Sequence, residues 1–291
     1  MAAEFRCVAV IGVGLIGGSF GMALRNRGLA GKVVGVGRNE GRLQRAVDVG
    51  AVDSWTLDLE EGVTGADLVY IATPVGMVLD FVERALPFIG KECIITDGGS
   101  TKAEICLGAD EIVGDRAAFV GGHPMAGSEE AGVEAARESL FEGSTYVLTP
   151  TPSTSPEAVE KMRLVAEAIG ARVLLMDPEE HDRCVAVISH LPHVMAAALA
   201  LLAQKESECS PHLFDLVAGS FRDMTRVAGS SPVLWRDICL SNAPAVRRTV
   251  DEMVALMSQA AELMEAGDSK SLEDWFSAAR SVRVQNLKSK V

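Results

Sequence analysis

Residues 7–18 read Cys7-Val8-Ala9-Val10-Ile11-Gly12-Val13-Gly14-Leu15-Ile16-Gly17-Gly18, and this stretch decides the fold. A short apolar run rich in β-branched residues suits a strand buried on both faces of a parallel sheet. It is followed at once by G-x-G-x-x-G and then by a helical pattern. Glycines at 12, 14 and 17 permit a tight turn, a close backbone approach to a pyrophosphate and a helix packed against its sheet. The helix N-terminus adds unpaired N–H groups and the positive end of a dipole. Gly12, Gly14, Leu15, Ile16 and Gly17 are therefore candidate cofactor-binding positions.

The same alternation continues outward. Residues 32–36 (KVVGV), 68–72 (LVYIA) and 94–96 (IIT) read as further buried strands, with helical patterns over 17–27, 40–49 and 75–86 between them. That is the βαβ signature. Residues 119–122, 146–149 and 173–176 add strands, and 150–156 is a turn-rich connector. Past residue 178 no strand pattern appears. Residues 179–204 form a long helical pattern that Pro192 is expected to kink or split. Val250, Met253, Val254, Met257, Ala261 and Met264 recur at helical spacing within 244–265. Residues 271–288 give a last helix with Ser269 as its expected cap. The predicted fold is an α/β Rossmann-type dinucleotide-binding domain over 1–177 followed by an all-α domain over 178–291.

Two domains agree with 291 residues, at roughly 150 residues each. Lys+Arg is 27 against Asp+Glu 40, a formal charge of −13, which repels phosphate backbones and anionic lipid. No nucleic-acid or membrane partner is expected. Aromatic residues are 5% of the chain, too few for a single-strand stacking surface. Of six cysteines the closest two are 13 positions apart, so they read as reduced core thiols of a cytoplasmic protein. The N-terminus shows no leader pattern. The longest apolar run, 194–203, is shorter than the ~20 residues a membrane span needs and reads as a buried helix.

The second strand ends at Gly37, followed by Arg38 and Asn39, where an NAD site usually carries a carboxylate. Arg38 is suited to a 2′-phosphate, so NADP is favoured over NAD. Ser100, in the loop over 96–102 (TDGGSTK), is either a hydroxyl near the nicotinamide or a helix cap. His123, at a strand end between glycines and Pro124, is the best general-base candidate. His190 and His193 lie three apart on a helical pattern; one is expected to touch substrate and the other to sit in the core. No further ligands at metal-binding spacing accompany them, so no metal is expected. Arg222, Arg226 and Arg236 each offer a guanidinium for an anionic substrate, and spacing does not choose among them.

These residues sit in the ordered motifs IGVGLIGGS, ATPV, TDGGSTK, GGHPMAGSE, HDRCVAVISHLPH and FRDMTRVAGSSPVLWRDI, which span residues 11–238. The set resembles the prephenate/arogenate (cyclohexadienyl) dehydrogenases of tyrosine biosynthesis. The resemblance implies an NAD(P)-dependent oxidative decarboxylation of prephenate, with His123 catalytic and Ser100 contacting the substrate hydroxyl and nicotinamide. It implies substrate contacts from His193, with His190 nearby, from Arg226 on a carboxylate and from Trp235. Thr73 and Pro74 of ATPV fall on the cofactor side. It also implies a homodimer through the helical domain. Gly37-Arg38 departs from the acidic pattern of many members. With the chain ending at Val291, no appended mutase or regulatory domain is expected. Glu129, with Glu130 beside it, is suited to the ammonium of arogenate, the alternative substrate. Two other readings are a β-hydroxyacid dehydrogenase-like reductase and a non-catalytic dinucleotide sensor. The first relies on a helical-domain lysine, for which only an isolated Lys205 is present over 178–258.

Overall fold

The computed structural model describes residues 5–127, 130 and 132–287. Its sheet contains β1 (Val8–Ile11), β2 (Val33–Val36), β3 (Ser54–Thr56), β4 (Leu68–Ile71), β5 (Ile94–Asp97), β6 (Ala118–Pro124), β7 (Thr145–Thr149) and β8 (Arg172–Leu175). The order is β3-β2-β1-β4-β5-β6-β7-β8. Every neighbouring pair is parallel except β6 with β7. β1 lies between β2 and β4, with Val8 opposite both Val33 and Leu68, and all four of its residues are buried. This is why its sequence is apolar without alternation.

Helices α1 (Leu15–Asn26), α2 (Glu40–Asp48), α3 (Leu59–Val63), α4 (Val78–Ala85), α5 (Ala103–Val113) and α6 (Pro156–Ala168) connect the strands. Two apolar cores result. One gathers Phe20, Tyr70, Phe141, Tyr146 and Leu148, with Phe20 stacked on Tyr70 at 3.9 Å. The other gathers Ile11, Ile71, Val78, Val82, Ile95 and Ile105. Strand order reverses between β1 and β4, so the loops that leave their carboxyl ends diverge and open a crevice there.

Beyond β8 come α7 (Pro178–Val185), a π turn over Ala186–His190, α8 (Leu191–Ser207), α9 (Gly219–Thr225) and α10 (Pro232–Ser241). Residues Pro178–Ser207 run as one 30-residue helix. The break expected at Pro192 takes the form of the wide turn directly before it, where the missing N–H and the ring are accommodated. By length and composition this helix is apolar enough to cross a membrane. His181, Asp182 and His190 on it are nevertheless buried in the fold. Its run 194–203 is not the buried segment expected: Leu201 is 71% and Leu202 55% exposed.

By contacts the chain divides after Ala243. The second unit holds α11 (Ala243–Glu265) and α12 (Ser269–Leu287). Val254, Met257 and Met264 of α11 are exposed. The cap of α12 is Asp268, whose carboxylate accepts from Ser271 N at 3.0 Å, and not Ser269. The charged carboxylate one position earlier is the stronger acceptor. The thiols also differ from expectation: Cys93 and Cys106 are buried, but Cys184 and Cys209 are exposed, on the outer face of α7 and just past α8.

Candidate active site

The turn after β1 needs its glycines for stated reasons. Gly12 has φ +90, and a Cβ there would lie 2.6 Å from the Ala72 carbonyl. A Cβ on Gly17 would collide with the Gly12 carbonyl, whereas one on Gly14 would meet nothing within 4 Å. Gly14 caps α1 with no side-chain hydrogen bond, so the first-turn N–H groups at Leu15 and Ile16 remain for a ligand. A cavity of about 790 Å³ runs from Gly12 and Gly14 past Thr73 and Pro74 to Gly37, Arg38 and Arg42. The Thr73 hydroxyl is buried without a protein partner. A backbone cradle, an orphan hydroxyl and two guanidiniums along one cleft fit an extended dinucleotide. Asn39 turns its side chain inward to cap α2, accepting from Arg42 N at 2.9 Å.

A second cavity, of about 780 Å³, shares Gly14, Ala72, Thr73, Pro74 and Gly132 with the first. Ser100, His123, Glu130, His193, Arg226 and Trp235 line it. The three arginines differ in where the structure places them. Arg226 faces the cavity, Arg236 pairs with Asp237 at 2.7 Å and Arg222 leans on the Val217 carbonyl. His193 donates from Nδ1 to the Ser189 carbonyl at 3.0 Å and stacks on Trp235 at 3.4 Å and 22°. Burial holds its imidazole below the usual range, and Arg226 adds to this while the Ser189 carbonyl opposes it.

His190 is the core histidine of the pair. It is 1% exposed, its ring meets Trp235 edge-on and its Nδ1 lies 3.2 Å from Asn242 Nδ2. Burial, with His181 and His193 beside it and Asp182 opposing, takes its pKa down to about 4. Ser100 is not a helix cap: α5 begins at Ala103, and Asp182 from α7 caps it, accepting from Lys102 N at 2.8 Å and Ala103 N at 2.9 Å. The hydroxyl of Ser100 is left on the cavity wall. Glu129 lies outside the described residues.

Two features had not been singled out from sequence. The first is a chain of bonds behind His123: its Nδ1 meets His181 Nε2 at 2.8 Å, and His181 Nδ1 meets Asp182 Oδ1 at 2.8 Å. The signal was present as His181-Asp182 in the HDR motif, one turn before the apolar Val185. The second is a buried ion pair between Lys102 and Asp97, both fully buried. Lys102 Nζ also donates to the Gly122 carbonyl at 2.9 Å, while Asp97 accepts from Gly99 N at 2.8 Å and Gly122 N at 3.1 Å. This knot ties the loop carrying Ser100 to the strand carrying His123. Burial, with His181, Lys102 and His190 nearby, holds His123 well below its ordinary pKa. Its neutral form is a proton acceptor at neutral pH.

Residues 20–175 match the family described as prephenate dehydrogenase, nucleotide-binding domain, and residues 177–278 match prephenate dehydrogenase, dimerization domain. A prephenate dehydrogenase of Bacillus subtilis is 38% identical over 277 residues, covering 95% of this chain and 75% of that one. Among solved structures, the prephenate dehydrogenase of Aquifex aeolicus in complex with hydroxyphenyl propionate and NAD+ superposes with a TM-score of 0.91 at 33% identity, covering 96% of this chain and 98% of that one. The arogenate dehydrogenase of Synechocystis gives a TM-score of 0.83 at 31% identity, covering 96% and 99%.

Proposed function

This chain belongs to the prephenate dehydrogenase family, and from that premise we propose how its residues oxidise and decarboxylate prephenate to 4-hydroxyphenylpyruvate in tyrosine biosynthesis. The observation that carries the reading is the second cavity, where His123, Ser100, His193, Arg226 and Trp235 meet beside the glycine cradle.

Bound in the first cavity, a nicotinamide dinucleotide supplies the acceptor for a hydride from the ring carbon that bears the 4-hydroxyl. His123 takes the hydroxyl proton as the carbonyl forms. Ser100 hydrogen-bonds the same hydroxyl. Arg226 holds the ring carboxylate and aligns the ring, which replaces a search in solution by a fixed geometry. When that carboxylate leaves as CO₂, its electron pair makes the ring aromatic and the oxygen a phenolate. His123 returns the proton to it, so the residue ends the cycle as it began. His193, with Trp235 stacked on it, walls the side of the cavity that takes the substrate's side chain.

Arg38, with Arg42 beside it, supports NADP as the preferred dinucleotide, since both line the end of the first cavity where β2 stops. Glu130 on the cavity wall supports arogenate as the alternative substrate, through its ammonium. The exposed apolar faces of α8 and α11 support a homodimer through the helical region 178–291, and the scattered free cysteines support a cytoplasmic location. The test is a steady-state assay of prephenate and arogenate, each with NAD+ and NADP+. Turnover of prephenate with release of CO₂ is expected; reduced nicotinamide from neither substrate refutes the reading.

A further inference from the structure

We infer that His181 and Asp182 are positioning residues that fix which ring nitrogen of His123 carries its proton. The inference rests on His123 as the proton acceptor and goes beyond it to the groups that make it one. Asp182 is buried, and its two oxygens already accept from Lys102 N and Ala103 N. A carboxylate accepts and does not donate. The 2.8 Å bond to His181 is therefore donated by His181 Nδ1–H. A His181 ring that carries this one proton offers Nε2 only as an acceptor, so in the inferred chain the 2.8 Å bond between the rings is donated by His123 Nδ1–H. Each bond sets the direction of the next, and the result is a lone pair on Nε2 of His123. The opposite tautomer would present an N–H to the substrate hydroxyl and have no place for its proton.

The chain is held from two sides. Besides the bonds from the start of α5, the Asp182 carbonyl accepts from Asn242 Nδ2 at 2.8 Å, just past α10. The charged and titratable groups around His123 are Lys102 and Asp97 from β5 and its loop, His181 and Asp182 from α7, and His190 from the π turn. Glu130 and Arg226 line the cavity in front of it. Of these, His181 and, through it, Asp182 are linked to the ring by hydrogen bonds that carry a direction.

The experiment uses the unliganded full chain labelled with ¹⁵N-histidine. Imidazole nitrogen shifts report the tautomer of each ring, and single His→Gln variants assign the five histidines. Wild type is expected to show His123 protonated on Nδ1. In Asp182→Asn the amide nitrogen takes the place of Oδ1 and donates to His181 Nδ1, giving up the bond from Lys102 N, while the amide oxygen keeps the bond from Ala103 N; this reverses every bond toward His123 and places its proton on Nε2. Turnover should then fall about 10²- to 10⁴-fold, as for a lost or misdirected base. KM and dinucleotide affinity should stay within about twofold, because neither contact set is touched. The acid limb of the rate profile should move to lower pH, since the imidazolium loses its carboxylate. His181→Gln, which leaves the α5 cap intact, should lower turnover in the same way.

Wild-type His123 protonated on Nε2 overturns the inference. So does Asp182→Asn or His181→Gln with wild-type turnover, or an Asp182→Asn loss that tracks melting temperature while the tautomer stays put. If wild type turns over neither substrate, the reading of the reaction falls, and the tautomer measurement still decides the relay.

Discussion

Replacing Lys102 by Met tests whether the buried ion pair holds the site together. Both Lys102 and Asp97 are 0% exposed. The substitution keeps an unbranched side chain one atom shorter and removes the ammonium with its charge and donors. It leaves the Asp97 carboxylate in the interior with two backbone N–H donors and no counter-charge. Breaking one partner of such a pair costs about 3–5 kcal/mol. For a unit of this size, 1 kcal/mol corresponds to about 2–4 °C, so melting should drop by roughly 6–20 °C. Adding Asp97→Asn removes the stranded charge, and its amide oxygen still accepts from Gly99 or Gly122. The double variant should recover more than half of the loss, since a neutral polar pair lacks the penalty of a lone buried ion. Thermal and urea unfolding of the two single variants and the double variant complete the cycle. Additive losses, or a Lys102→Met loss below about 1 kcal/mol, would refute the reasoning, because an uncompensated buried carboxylate cannot cost so little.

Four further outcomes are expected. His123→Asn should lower turnover about 10²- to 10⁴-fold, the range for a lost general base, while dinucleotide titration by fluorescence stays at wild type. Gly17→Ala forces a methyl onto the Gly12 carbonyl and should cost about 1–3 kcal/mol as overpacking; Gly14→Ala should melt as wild type yet bind dinucleotide more weakly, and equal melting losses in both would count against the cradle. Arg38→Ala should raise KM for NADP+ about tenfold or more, the loss of a charge-assisted bond, and leave NAD+ almost unchanged. His190 sits lower folded, at about 4, than unfolded, at about 6.5, so the unfolded chain binds the extra proton between those values. Its contribution is fully present above the upper value and is lost as pH falls through the window, by about 3 kcal/mol in all. His190→Gln should flatten melting temperature over that window, and an unchanged slope would sink the assignment.

The fold was legible where burial on both faces forces a continuous apolar run, as in β1 and β4. It was not legible at β3, three residues beside β2 at the edge of the sheet, where Ser54 and Trp55 stay half-exposed and no run is needed. The reversed pairing of β6 with β7 leaves no mark either, because both directions bury the same residues. At the site, His123 and Ser100 stood out because polar residues among glycines and prolines need a reason, whereas Arg226 was one of three arginines that spacing did not separate. Lys102 did not: a lysine in a polar loop gives no sign that its charge is matched inside. His181 and Asp182 were hidden by sequence distance, since their partners lie 58 and 80 positions away. The exposed run 194–203 of α8 read as core for a simple reason. Periodicity reports that a face is to be covered, and not which chain covers it.

The π turn at Ala186–His190 has a consequence for length. Each residue advances a helix by 100°, so a turn with a surplus residue offsets everything before it from everything after it. His181 and Asp182 stand upstream of that offset, and His193 stands downstream, on Trp235. Deleting one residue between them would not merely shorten the helix. It would dial one half past the other by about a quarter turn, swinging Asp182 off the start of α5 while His193 kept its place. Substitution is tolerated there wherever side chains face outward, as Val187 and Ile188 do. The residue count is what the segment has to preserve, because it acts as the angular setting between two parts of one site.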